Sequence, residues 1–234
     1  MVTTRRLASL VACLTAAVAG QACQSTPEVT TTEGGASSPA GDTAAMPRDP
    51  KREMKEARFQ EAITGLRFET GLVVVAEPAD TEDAILAMEH YAAGLVALEG
   101  NRSTGALTRM TLAVRTAPGL AEPYYGLGRA LEVKGKTDYA IAAYRTTLVF
   151  QPAHVDAQFA LAFALAKQGR EAEAIGEMER VLRLDPKRGE AHERLAIWHY
   201  YRGDHDDAWR HVRAARELGQ PLPPQFIALL EAQR

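Results

Sequence analysis

A step of 34 residues runs through this chain in several independent ladders. Alanines keep it at Ala106, Ala140, Ala174 and Ala208, although alanine is common here and that series alone carries little weight. Small residues follow the same step at Gly94, Gly128, Ala162 and Ala196, and leucines at Leu127, Leu161 and Leu195. The glycines Gly135, Gly169 and Gly203 and the prolines Pro118, Pro152 and Pro186 complete the pattern. Agreement among unrelated residue types marks a repeat chain, in which each unit buries its apolar face only by stacking on a neighbour.

The unit is clearest from Ala121 to His154. Tyr124, Leu127, Gly128 and Leu131 fall at i, i+3, i+4 and i+7, the stripe of an amphipathic helix. Gly135 ends that helix, and Asp138 lies near the start of the next, where a carboxylate can accept orphan amide bonds. A second stripe follows in Tyr139, Ala140, Ala143, Tyr144, Thr147 and Leu148. Pro152 closes the unit because it lacks an amide donor and restrains the residue before it. Gly128 and Ala140 stand where the two antiparallel helices cross, and bulk at either point would push the backbones apart.

This order of a large residue, Leu-small, Gly, Ala, large, small and Pro resembles the tetratricopeptide repeat. The copies at Val155–Arg188 and Gly189–Gln220 share it, the latter with Pro221 one place late. A degenerate copy precedes them: Ala106, Met110, Ala113 and Pro118 are in register, its first helix begins near Asp80, and Asn101 replaces the helix-ending glycine. The resemblance implies an all-α fold, an α-solenoid of stacked antiparallel helix pairs. It divides the chain into a degenerate repeat at 80–118, repeats at 119–152, 153–186 and 187–220, and a capping helix at 221–234. Phe226, Ile227, Leu229 and Leu230 are the capping residues available to close the stack.

The amino terminus reads differently. Arg5 and Arg6 precede an uncharged apolar run, Leu7 to Ala19, too short to span a membrane and long enough for a signal-peptide core. Gly20-Gln21-Ala22-Cys23 resembles a bacterial lipoprotein box, with glycine where the family prefers leucine. That resemblance implies a signal at 1–22 and lipidation of Cys23, with several acyl chains at about 0.8 kcal/mol per buried methylene. Two alternatives stand beside it: Leu10-Val11-Ala12-Cys13, whose apolar core would be very short, and ordinary cleavage after Ala19 or Ala22. Thr4-Arg5-Arg6 opens like a twin-arginine signal, but the residues after Arg6 depart from that pattern. Residues 23–50 are rich in Ser, Thr, Gly, Ala and Pro and cannot bury enough surface to fold, so they read as a tether. Within 51–79, Lys51 to Ile63 looks helical, and Leu72 to Ala76 is either a strand or a segment lying on the first repeat.

Several chemistries find no residues to carry them. With Arg5 and Arg6 removed, 25 basic residues face 30 acidic ones, and no basic stripe with interleaved aromatics exists, which speaks against nucleic acid. Cys13 and Cys23 are the chain's two cysteines, so the repeats hold no thiol or disulfide. His199, His205 and His211 with Asp204, Asp206 and Asp207 invite a metal reading. His199, however, occupies the packing position of Leu131 and Leu165, Asp204 and Asp206 fit helix capping, and no two histidines lie one turn apart on a helix. Gly126-Leu127-Gly128 lies inside a helix, and no G-x-S-x-G, phosphate loop or zinc-protease helix occurs. The expectation is a chain without catalytic site, metal or cofactor.

What the repeats offer is a surface. In the family, one stripe of each first helix lines the concave groove. Here it holds Glu122, Tyr125, Arg129, Glu132 and Val133; then Asp156, Phe159, Phe163, Ala166 and Lys167; then Glu190, Glu193, Ile197, Tyr200 and Tyr201. Tyr125, Arg129, Phe159, Phe163, Lys167, Glu193, Ile197 and Tyr200 are the candidate contacts for a protein or peptide segment bearing apolar anchors and some positive charge. The aromatics serve equally well as packing between repeats, with Phe163 the more unusual at its position. The combined expectation is a lipid-anchored adaptor of the bacterial cell envelope, facing the periplasm or exterior. The alternative is a soluble periplasmic protein whose stack mediates self-association.

Overall fold

The computed structural model describes residues 49–79 and 83–233, which belong to one unit, Pro47–Arg234. The leader, Cys13, Cys23, the tether up to residue 48 and the expected helix start near Asp80 lie outside the described residues. Among the described residues, ten helices and one β-hairpin succeed one another. They are α1 (Pro50–Ala62), β1 (Leu66–Glu69), β2 (Leu72–Val75), α2 (Ala84–Glu99), α3 (Ser103–Thr116), α4 (Ala121–Val133) and α5 (Thr137–Phe150). The rest are α6 (Val155–Lys167), α7 (Glu171–Leu184), α8 (Gly189–Arg202), α9 (His205–Glu217) and α10 (Pro224–Glu231).

From α2 to α9 the helices pair as four hairpins, each packed on the next, in the solenoid order that the 34-residue step implies. The turn inside each hairpin repeats closely. Asn101, Gly135, Gly169 and Gly203 all take a left-handed conformation, with φ of 54°, 70°, 73° and 84°. The amide after each of them bonds to the carbonyl five residues back, at 2.8–3.0 Å for Arg102, Lys136, Arg170 and Asp204. This closing bond satisfies a helix-end carbonyl and needs a residue that tolerates positive φ, which explains both the glycines and the asparagine. Capping by aspartate is not the device used at the second helices. Asp138 accepts a bond from Gln168 of the next hairpin, and Asp204 binds Arg202 at 3.2 Å. Neither Lys136 nor Asp204, at the two helix starts, makes a side-chain cap.

The crossing points are as tight as the small residues require. A Cβ added to Gly128 would run into the Tyr144 ring, and one on Gly94 would lie 2.7 Å from Met110. At the same register Ala162 is buried with Met178, and Ala196 with Val212. Phe226 and Leu230 of α10 are buried with Ala196, Ala208 and Val212, and Ile227 packs against them, so the carboxyl end of the stack is closed; Leu229, expected to share in this, is exposed instead.

Residues 51–79 form a wrap on the second helices of the first two hairpins. β1 and β2 pair antiparallel, with Leu66 opposite Val75 and Glu69 opposite Leu72, around the two-residue turn Thr70-Gly71. Both turn residues have positive φ, 51° and 77°, which is what a tight hairpin demands. The Val73 amide donates to the buried Thr146 hydroxyl of α5 at 2.8 Å, and that hydroxyl donates in turn to the Ala142 carbonyl at 2.8 Å. Tyr139 receives Phe68 edge-on at 4.5 Å and Phe59 at 5.5 Å. Arg115 of α3 donates to the Glu77 carbonyl, and its own carbonyl accepts from Ala79 at 2.9 Å. The helix here begins at Pro50, capped by the Asp49 carboxylate on the Lys51 amide, so folded chain starts slightly before the expected end of the tether.

Candidate partner-binding groove

The first helices α2, α4, α6 and α8 present one common side, and successive side chains on it touch. Tyr125 is half-buried, with the Arg129 guanidinium 5.9 Å from its ring centre and the His154 ring 4.8 Å away. Burial pushes the Tyr125 hydroxyl above its ordinary range; Arg129 opposes that shift, and Asp156 and Tyr91 add to it. Phe159 and Phe163 lie 5.0 Å apart on α6, each covered by a guanidinium: Arg188 at 4.4 Å and Arg194 at 5.0 Å. Such contacts stabilise by about 0.5–1 kcal/mol at exposed sites. Phe163 also meets Trp198 at 5.9 Å.

The charges on this side are largely paired within the protein. Arg188 binds Asp156 at 2.7 Å. Lys167 binds Glu132 at 3.1 Å, and the same carboxylate accepts from the buried Tyr144 hydroxyl at 2.6 Å. Burial and that carboxylate both push the Tyr144 hydroxyl upward, so it remains a donor. Of the acidic residues on the stripe, Asp156 and Glu132 are therefore at least partly neutralised. Arg129 instead lies at a cavity of about 420 Å³, shared with Leu98, Glu99, Glu132, Val133 and Lys167.

Five of the candidate contacts thus lie together: Tyr125, Arg129, Phe159, Phe163 and Lys167. The other three sit where α8 meets the closing helix. Glu193 accepts from Gln220 at 2.8 Å, Ile197 packs against the last core cluster, and Tyr200 meets Phe226 edge-on at 5.7 Å. The first hairpin adds residues beyond the stripe expected from the three regular repeats. Tyr91, Leu95 and Leu98 occupy the positions of Tyr125, Arg129 and Glu132 one repeat earlier, and Leu98 and Glu99 line the cavity. The 34-residue step, applied towards the amino terminus from each groove residue, is the signal that points to them.

The histidines assemble differently from their order in the sequence. His192, not His205, joins His199 and His211: His192 and His211 approach at 2.9 Å between Nδ1 atoms, and His199 stacks on His211 at 5.6 Å. His205 lies against Tyr200 instead. Among the described residues no group of His, Cys, Asp or Glu is arranged to hold a metal ion.

The tetratricopeptide-repeat family profile matches residues 91–153 and 125–189, each match spanning consecutive hairpins of the stack. The chain is a tetratricopeptide-repeat protein. Its fold is similar to that of MamA from Desulfovibrio magneticus RS-1, at 20% identity and a TM-score of 0.54, over 57% of this chain and 76% of that one. It is similar to YrrB, a repeat protein described as having an unusual peptide-binding site, at 20% identity and a TM-score of 0.52, over 64% and 76%. It is also similar to the first repeat domain of Spaghetti (RPAP3), solved with an HSP90 peptide, at 18% identity and a TM-score of 0.52, over 53% and 99%. No curated protein matches the sequence. In this tetratricopeptide-repeat protein no described helix is long and apolar enough to cross a membrane.

Proposed function

We propose that the chain is a non-catalytic scaffold that holds a peptide or protein segment along α2, α4 and α6. The observation that carries this reading is the set of half-buried rings Tyr91, Tyr125, Phe159 and Phe163 on three successive first helices, with Arg129, next to Tyr125, lining a cavity. Apolar anchors of a bound segment can lie on those rings, while Arg129 and the carboxylate of Glu99 provide polar contacts of both signs. The peptide-binding descriptions of YrrB and of the RPAP3 domain support such a role for this shape of molecule.

The proposal extends to the cell envelope. The uncharged run Leu7 to Ala19, the box ending at Cys23 and the Ser/Thr/Gly/Pro-rich stretch after it support a lipid-anchored adaptor. A palmitate analogue should label the intact protein and not its Cys23→Ser variant; equal labelling would dismiss the anchor.

The partner itself is found by proximity labelling from the native protein. Phe159→Ala combined with Phe163→Ala should then weaken its capture tenfold or more, about 1.4 kcal/mol, with helicity retained. Unchanged capture would return both rings to a packing role.

A further inference from the structure

The first helices of the four hairpins share one register, and this exposes a difference between the two ends of the stack. In α4 one face meets the preceding hairpin: a Cβ added to Gly126 would lie 2.5 Å from Met110 Sδ and 2.7 Å from Tyr91 Cε2. Pro123, Leu127 and Ala130 share that face and are buried. The corresponding Ala157, Leu161 and Ala164 of α6 are buried too, as are Ala191 and Leu195 of α8. In α2 the same positions are Glu89, Ala92, Ala93 and Val96, and all four are exposed. Beside them Ile85 is 76% exposed and Met88 39%. Only Glu89, His90, Tyr91 and Glu99 carry polar side-chain atoms among the 16 residues of α2. A helix so uniformly apolar belongs in an interior.

We infer that this face of α2 pairs with the α2 of a second copy of the chain, across a two-fold axis near Ala92 and Ala93. The alanines let two antiparallel helices approach to about 8 Å. Met88 then lies against Val96 of the second copy, and Ile85 against the aliphatic stem of Glu99. Neither carboxylate faces its own image in this arrangement. A head-to-tail contact with α10 would instead bring Glu89 and Glu99 towards Glu231. The closed two-fold form is also the commonest for soluble oligomers. A helix face about 24 Å long and 10 Å wide covers roughly 250 Å². That is well below the ~800 Å² per partner of a stable complex, so the dimer is weak and reversible.

The test uses the full chain with Cys13→Ser and Cys23→Ser, which has no thiol of its own. Adding Ala92→Cys should give a disulfide-linked dimer on mild oxidation, at least tenfold more than Glu179→Cys on the exposed side of α7. Sedimentation equilibrium should show a monomer–dimer equilibrium that Ala93→Arg weakens tenfold or more without loss of helicity. Phe159→Ala should leave it unchanged, which separates this interface from the groove. A monomer at every concentration would overturn the inference, as would equal cross-linking from both positions or a series of higher oligomers stacked end to end.

Discussion

Between α4 and α5, Tyr124, Leu131 and Ala143 supply the interior with a ring, a leucine and a methyl group, all buried. Two repeat lengths further on, between α8 and α9, the same three positions hold His192, His199 and His211. The hairpin between them is intermediate: Gln158 hydrogen-bonds Glu177 across the pair, while Leu165 keeps the second position apolar. Turn, length and register are constant along the series, so backbone geometry is set by the repeat and the strength of each interior by what fills it. The second hairpin gains further cover from the β-hairpin on Thr146 and Tyr139. The fourth has the short helix α10 and a buried His199 Nε2 with no hydrogen-bond partner among the described residues.

The largest expected effect probes the apolar end of this contrast. Tyr144→Ala removes a fully buried ring and should cost about 3–5 kcal/mol in chemical denaturation. Val212→Ala, at the same register in the fourth hairpin, should cost about 2 kcal/mol. Equal losses would break the comparison.

A smaller effect probes the polar end through pH. Burial, with Arg210 and the neighbouring His192 and His199 adding to it and Asp207 opposing, holds the His211 ring down at about 4. Burial also lowers His192. The folded value lies below the ordinary 6.5, so the stability of the neutral ring is fully present above pH 6.5. It is lost as the pH falls from there towards 4. His211→Ala, which restores the residue type of Ala143, should make the acid-induced loss shallower by about 1–2 kcal/mol. The same slope in both proteins would remove the histidine cluster from the account.

The contrast also shows what a sequence of this kind discloses. The ladders state the hairpin order, the tight crossings and even the left-handed Asn101, because each depends on one residue type at one spacing. The histidine cluster was hidden: antiparallel pairing sets His192 beside His211 across the hairpin, whereas proximity in sequence suggests His205. The wrap on α5 was hidden for a related reason. Thr146 and Tyr139 look like ordinary helix residues until a strand amide and two rings arrive from far upstream. Tyr91, Leu95 and Leu98 do not stand out in the sequence because α2 is apolar on nearly every side, which blurs the stripe that marks a groove. In the regular fourth hairpin the same stripe reads like a groove in sequence, yet Glu193, Ile197 and Tyr200 meet the closing segment instead.

Residue-resolved amide hydrogen exchange of the intact chain at pH 7 tests most directly whether the hairpins form one stack of graded interior strength. Protection should be greatest in α4 and α5, lower in α6 and α7, and lowest in α8 and α9. Uniform protection from α2 to α9, or a fourth hairpin that outlasts the second, would contradict it.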